Sequence, residues 1–167
     1  QSYDFNNPDV KIGLYANASD IPEGSNYDVT LIQDPQDPNN AVQQLFNSYL
    51  SIDSDATHLV EFGPGTYQTE ASQNLIRSPT RMQGTVVSGE KLSNFNSNGV
   101  IFVRDALELD SLNLETIQST FSYTSALALG SITNCYITNQ TTDQLMSADT
   151  SNEIIISGNT FTTEGTA

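Results

Sequence analysis

The sequence predicts an all-β chain wound as a right-handed parallel β-helix of about four to five coils with one N-terminal capping helix. Three observations carry that prediction. Asp105–Ile117 (DALELDSLNLETI) overlays Ser125–Ile137 (SALALGSITNCYI) at a step of 20 residues, with identities at Ala106/Ala126, Leu107/Leu127, Leu109/Leu129, Ser111/Ser131 and Ile117/Ile137. A further step of 24 residues brings Ile132–Thr138 (ITNCYIT) onto Ile156–Thr162 (ISGNTFT). Within a unit, Leu107 and Leu109 followed by Leu112 and Leu114 keep the strand period of two, broken once by a two-residue corner. Short alternating units that recur at such a step bury their apolar faces only by stacking on one another.

Composition agrees. A chain of 167 residues suits one domain with a slender core. Its apolar share of 37% is below the usual level, as expected of a solenoid whose core is one side chain wide and whose corners are polar. The Leu and Ile alternation argues against disorder. The net charge of −15 repels nucleic acid and anionic lipid, both of which are bound through Lys and Arg, so neither is an expected partner. Polyuronates would be repelled as well unless calcium bridged the like charges. No apolar run reaches the ~18 residues of a membrane span. Cys135 is the only cysteine, which excludes an intrachain disulfide, and the alternation between Ile132 and Ile137 makes it a small buried hydrophobe. The chain opens on Gln1 rather than Met, which reads as a processed N-terminus and export.

Taken in order, residues 1–56 read as a run-in and a cap, and residues 57–167 as the coils. Val10–Ala16 and Tyr27–Gln33 alternate as strands, separated by the turn residues Pro22 and Gly24. Asn39 or Asn40 caps a helix over Ala41–Leu50, whose stripe of Val42, Leu45, Phe46 and Tyr49 is expected to pack over the open end of the first coil or on its flank. In His58–Thr69 a strand with His58, Val60 and Phe62 pointing inward turns at Gly63-Pro64-Gly65 and continues through Tyr67; Gly65 takes a backbone conformation other residues avoid. Residues 75–98 form the next coil, with Val86 and Val87 in a strand and Gly84 and Gly89 at corners. Gly99–Val103 opens the best-formed coil, Gln118–Thr124 is a loop before the next, and Asn139–Asp149 lies between the last two. At ~4.8 Å per strand the stack is on the order of 20 Å long. After Phe161 the sequence is polar, with no second capping helix, which leaves three expectations open: the β-helix continues in further chain, it stacks end to end through edge pairing, or its final turns fold over the end.

Asn152–Thr163 (NEIIISGNTFTT) resembles the repeat unit of the pectate-lyase-like β-helix superfamily, in which an Ile-x-Ile strand leads into a Gly-Asn corner and then an aromatic. Pro64-Gly65-Thr66-Tyr67 is similar to the end of the first coil in extracellular β-helices. The resemblance spans roughly residues 57 to 163. It implies the architecture, the helical cap, and a location outside the cell or on a cell or virion surface. It leaves activity open, because lyases, hydrolases, epimerases, tailspikes and adhesins share this fold.

Catalytic chemistry has few candidates. Lyases of this fold need a basic residue beside a uronate. The cations are Lys11, Arg77, Arg81, Lys91 and Arg104, with His58, and none stands in a lyase motif; Arg77 and Arg81 approach one another at a corner. Glycosidases need two carboxylates about 5 to 10 Å apart. Asp105, Glu108, Asp110 and Glu115 lie on or beside the best coil, and Glu108 and Asp110, two apart in a strand, share a face at roughly 7 Å. That spacing suits acid–base work or a calcium ion. The Asp-Asp, Gly-His-Gly and Arg-x-Lys signatures of polygalacturonases are absent, however, so the pair reads as a solvated acidic face. Asp34/Asp37 and Asp53/Asp55 read as loop acids. No cofactor or metal site is assigned; calcium at the acidic face is the one ion left open, without an EF-hand or nonapeptide repeat to hold it. With Trp lacking, a sugar-stacking platform falls to Tyr67, Phe121, Tyr123 or Tyr136, of which Tyr123, in its loop, is expected to be the most exposed. Asn17-Ala-Ser and Asn139-Gln-Thr are candidate glycosylation sites.

The resulting expectation is a non-catalytic extracellular β-helix module, structural or fibre-forming, that self-associates through its ends and contacts polysaccharide. The alternative is the N-terminal part of a polysaccharide lyase or glycoside hydrolase, and a third reading is a viral tail or capsid fibre segment.

Overall fold

The computed structural model describes residues 2–37, 39–70, 73–116, 121–139, 145–149 and 152–163. Two strands come first, β1 (Val10–Tyr15) and β2 (Val29–Ile32), then a helix α1 (Asn40–Leu45) that widens into a π turn over Phe46–Leu50. From there the chain winds. One coil is β3 (His58–Phe62), β4 (Gly65–Gln68) and β5 (Asn74–Ile76). The next is β6 (Thr80–Gln83), a hairpin of β7 (Val86–Val87) and β8 (Glu90–Lys91), then β9 (Ser93–Ser97) and β10 (Ile101–Val103). Two further coils follow: β11 (Ala106–Asp110), β12 (Asn113–Thr116) and β13 (Phe121–Tyr123), then β14 (Leu129–Thr133), β15 (Tyr136–Asn139) and β16 (Met146–Ser147). β17 (Glu153–Ser157) and β18 (Thr160–Thr163) complete the described strands.

Strands of like rank pair in parallel, which makes the chain a parallel β-solenoid of about four turns with three sheets. The first sheet runs β2-β1-β3-β6-β11-β14-β17, the second β4-β9-β12-β15-β18 and the third β5-β10-β13-β16. Stacking converts strand alternation into columns. Ile12, Val60, Met82, Leu109 and Ile132 form one buried column of the first sheet. Tyr67, Phe95, Leu114 and Ile137 form that of the second. Phe62 packs its ring at 5.2 Å from Tyr67 and 5.7 Å from Phe95, tying the two columns together. Full burial of each such side chain contributes ~1.5–3 kcal/mol.

The observed register corrects the first of the two sequence overlays. Leu109 stacks on Ile132 and Leu114 on Ile137, a step of 23, not 20. Leu107 meets Gly130, while Leu127, its counterpart in the 20-residue overlay, sits in the turn before β14 and is 80% exposed. The second overlay, at 24, coincides with the pairing of Ile132 with Ile156 and Ile137 with Phe161. The physical determinant is the corner between the first and second sheets. Its leading residue adopts positive φ in three successive coils: Ser111 (58°), Asn134 (55°) and Gly158 (69°). Left-handed backbone is tolerated by few residue types, so this position aligns the coils. Asn159 then clips its corner to the coil beneath, donating to Ile132 O (2.7 Å) and accepting from Cys135 N (2.8 Å).

Val86 and Val87 leave the coil rather than extend it. They pair antiparallel with Lys91 and Glu90 in a hairpin whose central residues, Ser88 and Gly89, both have positive φ, the geometry of a tight two-residue turn. Both valines are exposed as a result. Ser93, buried where the hairpin leaves the wall, donates to Phe62 O and Gly63 O and accepts from Thr85 N, which gives these three backbone groups partners at the interruption of the coil.

The N-terminal end is closed by two devices. β1 and β2 extend the first sheet past β3, whereas the second and third sheets start at β4 and β5. The missing two sides are taken by helix α1, which packs on β4, and by the π turn, which packs on β5. The helix departs from the sequence reading in two respects. Asn39 precedes it in helical backbone geometry, with no side-chain capping bond. The π turn, with Ser51 N donating to Phe46 O, adds one residue to the last turn. That addition rotates the stripe so that Leu50 is wholly buried while Tyr49 is only partly so.

Candidate functional site

Two outer faces carry chemistry-bearing side chains. On the first sheet, outward positions stack as Leu59, Arg81, Glu108 and Ser131, beside Glu61, Gln83, Asp110 and Thr133. Arg81 therefore lies one coil beneath Glu108, although 27 residues separate them in sequence. Its guanidinium donates to Glu108 Oε1 at 2.7 Å and lies 3.3 Å from Asp110 Oδ2. Asp110 also accepts hydrogen bonds from Ser111 Oγ, Thr133 Oγ1 (2.6 Å) and Asn134 Nδ2 (3.5 Å). The two acids expected to stand free in solvent are thus partly buried and bridged by one cation, and Asp110 ties the corner of its own coil to the next. Parallel stacking causes this, since it sets unlike charges directly opposite one another.

The N-terminal segment borders the same face. Tyr3, Asp4, Phe5 and Asn6 line a groove of about 490 Å³ with Leu59 and Glu61, and Phe5 is buried with its ring 6.2 Å from Tyr3. Among the described residues, no group of three or more His, Cys, Asp or Glu side chains is placed to hold a metal ion.

Burial acts to raise the Asp110 pKa, but the Ser111 and Thr133 hydrogen bonds, the Arg81 charge and Asn134 outweigh it and hold the carboxyl below the ordinary carboxylate value. A depressed folded-state pKa contributes stability that is complete above the unfolded value of ~3.9 and is lost as pH falls through the folded value. Acid titration followed by circular dichroism is therefore expected to show stability falling more steeply below about pH 4 in the native chain than in Asp110→Asn. The variant should also be the less stable of the two at pH 7.

The remaining sequence candidates fall into place individually. His58 is buried, its Nδ1 2.9 Å from Ala56 O, and burial lowers its pKa. Cys135 is buried, and desolvation pushes its thiol up to about 11, far from nucleophilic. Arg104 bridges Asp53 (2.8 Å) and Asp105 (3.0 Å) and donates to Arg77 O, pinning the segment after the helix to the coils. Lys11 lies 5.3 Å from the Tyr27 ring centroid and 3.7 Å from Glu61. Asn17 is exposed just before a 3₁₀ turn (Ala18–Asp20), with no capping bond from its side chain. Asn139 ends β15; the two residues that complete its glycosylation tripeptide lie outside the described residues, as do residues 118–120 of the expected Gln118–Thr124 loop, whose remainder holds β13.

Tyr123 is the clearest correction. It sits inward in β13 beside buried Phe121, two residues away, donates its hydroxyl to Leu107 O at 3.0 Å, and closes over Gly130. Polar neighbours give the segment the look of a loop, while the Phe121/Tyr123 alternation makes it a core strand. Tyr67 and Phe121 are buried too, which leaves Tyr136, 41% exposed, as the accessible ring among the four aromatic candidates.

Tyr136 belongs to the second face, on the outer side of the second sheet. There Thr66, Asn94, Asn113 and Tyr136 stack in one column, with Asn96, Glu115 and Thr138 in the next. These side chains line a shallow groove of about 390 Å³. An amide relay runs along it: Asn113 Nδ2 donates to Asn94 Oδ1 (2.8 Å), and Asn94 Nδ2 to Thr66 Oγ1 (3.2 Å). From the sequence only Tyr136 and Glu115 of this face were candidates, and singly, because its residues come from four coils and form no local motif.

No family model, curated protein or solved structure matches this chain.

Proposed function

We propose that this chain is a structural β-solenoid module of the pectate-lyase-like kind, acting outside the cell or on a surface, that associates with a second copy through the coil of β17 and β18. One observation carries the reading. Ile156 and Phe161 continue the buried columns of Ile132 and Ile137, yet they are 53% and 58% exposed. Among the described residues, no strand pairs with the outer edges of β17 and β18. Core side chains and open strand edges at the end of a stack favour addition of further strands.

The opposite end differs, because α1 and the π turn cover the second and third sheets there. Association is therefore tail to tail, and a two-fold pair closes on itself where head-to-tail stacking would grow a filament. Each copy carries a net charge of −15, so the pairing strengthens with salt.

Light scattering across a concentration series tests this. The expected result is a rise from 18.1 kDa towards twice that mass, favoured by added salt, with association weakened at least tenfold by Phe161→Asp, in line with loss of ~1.5–3 kcal/mol of apolar burial. A monomer at every concentration, or a dimer indifferent to Phe161→Asp, would sink the proposal.

A further inference from the structure

We propose that the outer groove of the second sheet is a binding site for an uncharged, hydroxyl-rich polysaccharide chain. The groove is built from Thr66, Asn94, Asn96, Asn113, Glu115 and Tyr136, and it is a side wall of the solenoid, separate from the end implicated in association.

The chemistry of the lining selects the ligand. It contains no Lys or Arg, so phosphates, nucleic acids and uronates find no counter-charge there, and a net charge of −15 opposes their approach. Its amides and hydroxyls offer both donors and acceptors, as a sugar hydroxyl requires. The exposed ring of Tyr136 supplies the apolar plate on which the C–H face of a pyranose packs while its rim stays wet. An added peptide strand is disfavoured, since the groove lies on the face of the sheet, where the main-chain groups are already spent on the ladders to either side.

The spacing agrees with a chain rather than a single sugar. Equivalent side chains recur once per strand, ~4.8 Å apart, close to the length of one pyranose unit in an extended polymer. Asn96 adds an independent indication. Its Oδ1 is buried without a hydrogen-bond partner among the described residues. An unpaired buried acceptor costs ~1–3 kcal/mol. The terminal torsion of an amide is soft, so a modest turn presents either end of the Asn96 side chain to a hydroxyl in the groove.

Affinity electrophoresis of the full chain through gels containing xylan, mannan, mixed-linkage β-glucan or polygalacturonate reads the site out. The expected result is retardation in at least one neutral gel and none in polygalacturonate. Tyr136→Ala should reduce the retardation at least fivefold, and Tyr136→Phe, which keeps the ring, should restore it. If Tyr136→Ala lowers the melting temperature, Asn96→Ala carries the same comparison without removing an aromatic. Phe161→Asp, scored against its own migration in a sugar-free gel, should keep the retardation of the native chain in the neutral gels, which separates this site from the associating end. Absence of retardation in every neutral gel, retardation by polygalacturonate alone, or indifference to both Tyr136→Ala and Asn96→Ala would overturn the proposal.

Discussion

Leu107→Ala is expected to destabilise the solenoid by about 3 kcal/mol, whereas Leu127→Ala shifts stability by no more than ~0.5 kcal/mol. The two leucines occupy equivalent places in the 20-residue overlay, so a chain in that register would suffer equally from either change. In the observed register Leu107 is fully buried, flanked by Thr80 below and Gly130 above. Neither neighbour can swell to fill the space a leucine leaves, and Tyr123, bonded to Leu107 O, is held in place over Gly130. The truncation therefore leaves a cavity and adds its penalty to the lost transfer energy. Leu127 lies in a turn with its side chain largely in water. Urea unfolding of the two variants against the native chain decides the matter, since equal losses would restore a step of 20.

Gly84→Ala is expected to lose on the order of 2–3 kcal/mol, an overpacking penalty with no route to relief. Gly84 ends the strand β6 side of the corner and donates its N–H to Asp110 O at 3.0 Å. A β-carbon there would lie 2.2 Å from the backbone oxygen of Ser111 and 3.1 Å from Leu112 Cδ2. Ser111 is itself held at positive φ as the corner of the next coil, so the obstructing carbonyl cannot retreat without opening that corner. Gly24 and Gly89 serve as controls for space, because nothing lies within 4 Å of a β-carbon at either; their positive φ leaves only the local backbone strain to be felt. Thermal melts of the three alanine variants should place Gly84→Ala lowest. A Gly84→Ala melt matching the native chain would show that the corner is looser than its geometry implies.

The elements that were legible in sequence are those decided by neighbouring residues. The alternation of Val60 and Phe62, the Gly63-Pro64-Gly65 turn with Gly65 at φ 139°, the Gly158-Asn159 corner and the burial of Cys135 all follow from local sterics and parity. Val86–Val87 misled because β-branched pairs suit any strand, and only the positive φ of Ser88 and Gly89 commits them to an excursion. Tyr123 misled through its polar neighbours, although its parity with Phe121 carried the correct signal.

By itself the sequence determined that the chain is a stack of short strands, that Gly63–Gly65 and Gly158-Asn159 are turns, and that a helix stands ahead of the coils, because backbone preference and side-chain parity act over a few residues. Only the tertiary structure decided what stacks on what. The joining of Arg81 to Glu108 and Asp110, the amide relay from Asn113 through Asn94 to Thr66, and the exposure of Tyr136 all depend on partners one coil away. The length of a coil varies with its loops, so a partner's position in sequence is not periodic enough to read. The positive-φ corners and the filled core columns set it instead, once neighbouring coils are in contact.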